Sequence, residues 1–247
     1  MIPFFRKIRK KMADDNRPLK YMRYAVGEII LVVIGILIAL QINNWNEESK
    51  IESIRQGYYS QIIIDLDKDR AYGDNLIIKL DSNLVKLKTY RETYKEPNLP
   101  LIQILGNTGK LDWFAINVHF QSNTIETLEN TGDIQLIPIS IRNKLINYNR
   151  EQNQIASVSK TNNDLYIDVL SKAVMLYGGN DYVENIGNQP KLLQNMSDEK
   201  LQAQLLLNLE AGQFYKNISE SQTSESLKRL ELDIDEIKKL ISQQIKK

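Results

Sequence analysis

From Tyr24 to Ile42 the chain reads YAVGEIILVVIGILIALQI, apolar almost throughout, with Glu28 as its one charged residue. As a helix this stretch is roughly 27 Å long, at about 1.5 Å per residue. That is close to the roughly 30 Å hydrocarbon core of a bilayer. A core helix of a soluble protein normally keeps a polar stripe, and Ile29–Leu40 has none. Residues 24–43 are therefore predicted to be the chain's one transmembrane helix.

Beyond it the pattern changes. Ile51, Ile54, Tyr58, Ile62 and Leu66, then Leu76, Leu80, Leu84, Leu87 and Tyr94, recur largely in steps of three and four, marking one helical face. No proline lies between Asn46 and Lys95, so the helix is predicted to continue out of the membrane. Pro97, Pro100, Gly106 and Gly109 mark a connection. The aromatic stretch Leu111–Phe120 reads either as a short strand or as an irregular buried segment. Asn123 with Glu126 matches a capping box opening a short helix, Thr124 to Asn130, and Gly132 suits its left-handed stop.

A second long helix is predicted over about Ile139 to Tyr177. Its stripe is Ile141, Leu145, Tyr148, Ile155, Val158, Leu165 and Val169. Gln152 and Asn162 fall near that face and need partners if buried. Gly178–Asp181 ends it. Ser197, Asp198 and Glu199 start a further helix running to about Asn217. A last one spans about Thr223 to Lys246 on Leu227, Leu230, Ile234, Ile237 and Ile241. Two heptads are too few for a coiled coil, so bundle packing is expected. The fold class is mainly α: one N-terminal transmembrane helix, then an extracytoplasmic antiparallel helical bundle over residues 44–247.

Charge sets the direction. Arg6, Lys7, Arg9, Lys10, Lys11, Arg17, Lys20 and Arg23 precede the apolar stretch, against Asp14 and Asp15, and the first charges after it are Glu47 and Glu48. The basic flank, residues 1–23, is expected to stay cytoplasmic, which sends the remainder across the membrane. Within it Phe4, Phe5, Ile8 and Met12 can share one helical face, suited to an anionic leaflet at about 1 kcal/mol per basic residue; its plainer role is to fix topology. Arg23, Tyr24 and Trp45 suit the two interfaces. A cleavable signal peptide fits less well, because Gln41–Trp45 offers no small-x-small site. Net charge is +1, so no overall field points to nucleic acid. The chain has no cysteine, hence no disulfide framework.

Candidate chemistry is sparse. Gly27, Gly35 and Ala39 fall on one face, and Gly35-x-x-x-Ala39 is a small pair that lets another helix approach closely. Glu28 lies about a turn inside the cytoplasmic edge, either as a partner or proton site at membrane depth or at headgroup level beside Arg23 or Lys20. Asp65-x-Asp67-x-Asp69 superficially resembles a calcium loop, but Arg70 and Leu76 stand where that loop needs glycine and a carboxylate. His119, the only histidine, reads as a packed residue. No HExxH, G-x-S-x-G or phosphate-binding glycine loop is present. No catalytic, cofactor-binding or metal-binding residue is expected.

Phe4–Arg9, and Gly27 through the apolar stretch to Gln41-Ile-Asn-Asn-Trp-Asn46, resemble a family of uncharacterised, single-pass membrane proteins of about this length from Gram-negative bacteria. Thr127–Ile137, followed by Ile141-Arg142-Asn143, is similar to that family's second recognisable stretch. The resemblance implies an inner-membrane location and no activity, since the family has no assigned function. The expectation is a non-enzymatic interaction or scaffold protein of the envelope, with lipid as one partner and a homo-oligomer or membrane-protein complex as another. The alternative is a ligand-sensing or accessory subunit that uses Glu28 within the membrane.

Overall fold

The computed structural model describes residues 18–121, 123–177, 186–196 and 198–245. Among these residues every regular element is helical. They are α1 (Pro18–Thr93), α2 (Leu101–Thr108), α3 (Thr124–Thr131), a 3₁₀ turn (Asp133–Leu136), α4 (Ile139–Tyr177), α5 (Pro190–Met196) and α6 (Glu199–Ser242). The chain divides into two compact units, Met1–Gly57 and Tyr58–Lys247. The amphipathic face expected over residues 4–12 and the stop at residues 178–181 lie outside the described residues.

In the first unit α1 begins at Pro18, inside the stretch expected to be tail. A proline at the first helical position loses no hydrogen bond, because that N–H has no intrahelical partner anyway. Among the described residues nothing buries the most apolar window of this stretch, and Ile29, Leu31 and Leu37 are each more than half exposed.

The second unit is built on three long helices. Along α4 and α6 the paired residues are Lys144 with Glu236, Asn162 with Gln222 and Asn163 with Ser219, so the two run in opposite directions. The same holds for α1 and α6, through Asp67 with Lys238, Asp81 with Lys228, Asn83 with Glu220 and Tyr90 with Glu210. Most of the stripes read from sequence meet in a large apolar core, in which Tyr59, Ile62, Leu66, Leu80, Leu128, Ile141, Leu145, Leu227, Ile234 and Ile237 are almost wholly buried. Ile54, Tyr94, Val158 and Leu165, expected on the same stripes, are exposed instead, and Leu87 belongs to a second, smaller core. Each such buried side chain stabilises by about 1.5–3 kcal/mol. That sum, more than helix propensity, holds the long helices together.

Five expectations change. His119, expected to be a packed residue, is exposed, as is Phe114; of the two readings of that stretch the irregular one holds over residues 112–121, with Val118 buried in the core. Leu101–Thr108 is a helix, not only a connection, because Pro100 sits just before the first turn, where it costs nothing. α5 was not anticipated. The Asn123 side chain caps nothing; Asp65 of α1 takes that role, accepting from the N and Oγ1 of Thr124 at 3.3 and 2.5 Å. Lastly, the two helices expected after Ser197 are one, Glu199–Ser242. Within Asn217–Gln222, Ser219 and Glu220 belong to a buried polar layer, and no proline breaks the helix there. The start at Asp198 holds, its carboxylate accepting from Lys200 N at 3.0 Å, and Gly132 adopts φ 82° as the α3 stop.

Candidate functional site

The residues singled out on the apolar helix all lie along α1. Arg23 and Trp45 are exposed, Trp45 strongly so, while Tyr24 and Glu28 are half-buried. Around Gly27 and Gly35 a methyl group would meet no atom within 4 Å, and Ala39 is exposed beside them. Arg23 and Trp45 stand roughly 33 Å apart along the helix, at about 1.5 Å per residue. Between them, from Ile29 to Leu40, the surface is apolar and exposed.

In the second unit the polar side chains that matter are buried, and sequence reasoning missed most of them. Lys216 and Glu220 form an ion pair at 2.5 Å with 3% and 8% of their side chains exposed. Lys216 Nζ also donates to Phe114 O at 2.9 Å, and Asn83 Nδ2 donates to Glu220 Oε1 at 2.9 Å. Alongside, Ser219 Oγ donates to Asn163 Oδ1 at 3.0 Å. Asn163 Nδ2 in turn donates to Ile116 O and Asn117 Oδ1, and Ser159 Oγ donates to Ile116 O. A buried ion pair persists only when its remaining donors and acceptors find partners; here Asn83 of α1 and the Phe114 carbonyl supply them.

A signal for this layer was present. Stepping back from Leu227 by four and three lands on Thr223, Glu220, Lys216 and Gln213, all buried. These polar residues stand in core register, and the gap placed between Asn217 and Thr223 cut through what is a buried polar layer of one helix.

Two tyrosine clusters flank it. Tyr148 OH and Gln152 Nε2 donate to Asp69 Oδ2 at 2.9 and 2.7 Å, which gives buried Gln152 the partner it needed; Asn162 meets Gln222 at the surface. Burial, then the Asp69 charge, pushes the Tyr148 hydroxyl far above its ordinary range. Tyr90 and Tyr94 share Glu210 Oε1. Tyr94 is pushed up to about 12, first by burial, so both remain neutral phenols that donate. Neither cluster supplies a base or nucleophile in an open cleft.

Residues 28–107 match a family of unknown function, DUF6090. The match begins at Glu28 and takes in Gly35, Ala39, Trp45, the rest of α1 and most of α2. It leaves out Arg23, Tyr24 and Gly27, the second stretch at Thr127–Ile137, and the Lys216–Glu220 pair. It supports an uncharacterised domain family. No curated protein and no solved structure matches the chain.

The Asp65, Asp67 and Asp69 carboxylates, on one continuous helix, turn to Thr124, Lys238, and Tyr148 with Gln152. Among the described residues no three His, Cys, Asp or Glu side chains gather as a metal set. A groove of about 500 Å³ lies between α4 and α6, where Glu151, Glu225 and Arg229 stand beside Ile155 and Val158.

Proposed function

We propose that the protein is a membrane-anchored interaction module without catalytic activity. Residues 24–43 cross the bilayer, residues 1–23 stay in the cytoplasm, and residues 44–247 form the extracytoplasmic part at a bacterial inner membrane. The observation that carries this reading is the uncovered apolar surface of α1, whose most apolar window has nothing of the protein packed on it. Lipid satisfies such a surface, and a helix satisfies its own backbone groups there. The charge asymmetry of the flanks supports the orientation. The small-residue face of Gly27, Gly35 and Ala39 is where a second transmembrane helix approaches, and Glu28, near the cytoplasmic edge, contributes a polar contact to that partner or to headgroups.

A reporter active only in the cytoplasm, fused after Lys247, tests the topology: it is expected to stay dark, and the same reporter placed before Met1 to function. Light from the C-terminal fusion would overturn the orientation. Crosslinking in native membranes followed by mass spectrometry tests the interaction role. A protein recovered strictly as an uncrosslinked monomer would count against it.

A further inference from the structure

The second unit contains two apolar cores separated by the buried polar layer. The larger groups nineteen buried side chains drawn from residues 59–80, 118–155 and 227–241. The smaller groups three, Leu87, Tyr90 and Leu111, with Trp113 packed against them. Between them on every long helix the inward positions turn polar: Asn83 on α1, Ser159 and Asn163 on α4, and Lys216, Ser219, Glu220, Thr223 and Ser224 on α6, all buried.

Apolar contact rewards any continuous burial, whereas a buried charge pair returns much of its Coulomb energy as desolvation cost. The layer therefore fixes which residues face each other but adds little cohesion across itself. The small core also has far fewer buried apolar side chains to hold it, three against nineteen.

We infer that the helical unit opens in two stages at this layer: the small-core end, residues 84–113 with 164–177 and 199–215, releases as one cooperative piece while the large core stays folded. Proteins open in such pieces when local burial differs sharply. The released piece uncovers Leu87, Leu111 and Trp113, adding apolar surface that the closed form hides. This inference does not depend on the membrane reading.

Hydrogen exchange of the full chain in detergent micelles tests it, with protection followed at rising sub-denaturing urea. Amides of residues 87–93, 165–177 and 203–213 are expected to share one urea dependence and to exchange at least about tenfold faster than those of 62–76, 141–152 and 230–241. A variant carrying Asn83→Leu, Lys216→Met and Glu220→Leu converts the charged part of the layer to apolar contact and is expected to shrink that ratio towards one. If the two groups in the unsubstituted protein exchange with equal protection and equal urea dependence, the inference fails whether or not the variant folds. It fails too if the folded variant keeps the full ratio.

Discussion

Replacing Asp69 by alanine tests how much one buried acceptor holds in place. Asp69 is 4% exposed and takes hydrogen bonds from Tyr148 OH at 2.9 Å and Gln152 Nε2 at 2.7 Å. Hydrogen bonds to a charged group contribute about 1.5–3 kcal/mol each, which bounds the loss at about 3–6 kcal/mol. Gln152 Nε2 lies 3.3 Å from Tyr148 OH, so the stranded groups can still meet each other and the expected loss falls near the lower bound, about 3 kcal/mol. Asp69→Asn keeps one acceptor oxygen and is expected to cost about half of that. Tyr148→Phe on the Asp69→Ala background should cost clearly less than Tyr148→Phe alone, a coupling of about 1–2 kcal/mol. Urea unfolding of the full chain in detergent micelles, followed by loss of helix signal from the second unit, gives all four values. An Asp69→Ala protein within about 1 kcal/mol of the parent, or strictly additive single substitutions, would refute the account.

Three further outcomes are expected. Burial, then hydrogen bonding to Asp74, raises the Glu231 carboxyl above its ordinary value. Because the folded value is the higher one, its contribution is present below the unfolded value and is lost as pH rises through the folded one; Glu231→Gln should flatten that part of the stability profile between acid and neutral pH. Gly132→Ala places a side chain at φ 82° and should lower the unfolding free energy by about 1–2 kcal/mol in the same urea assay, with no other change. Leu37→Arg puts a charge in the middle of the apolar stretch at about 2.5–3.5 kcal/mol, and the protein should shift measurably from the membrane pellet to the soluble fraction on gentle extraction.

The long helices were legible because apolar spacing repeats over many turns: Ile141, Leu145, Tyr148 and Ile155 marked α4, and Pro138 before it and Gly178 after it gave the bounds Ile139–Tyr177. The apolar stretch of α1 was legible by length alone. What failed were places where a tertiary partner decides a local outcome. The Asn123 cap pattern is sound locally, yet Asp65 reaches Thr124 first. Asn217–Gln222 looks like a break because its polarity is matched by residues far away in sequence, Asn83 and Asn163, together with the Phe114 carbonyl that Lys216 meets one turn earlier. The buried Lys216–Glu220 pair was missed for the same reason, since nothing local says that a Lys and a Glu four apart face inward and not into water.

The stretch from Trp113 to Ile116 has a further consequence. Tyr166, Lys216, Ser159 and Asn163 grip it by the carbonyl oxygens of Trp113, Phe114 and Ile116, an atom that every amino acid carries. The grip is therefore blind to which side chains hang there. Phe114, largely exposed, can be exchanged for other types while the helices keep hold, whereas Trp113 and Ile116 are tied down a second time by the cores their side chains pack on.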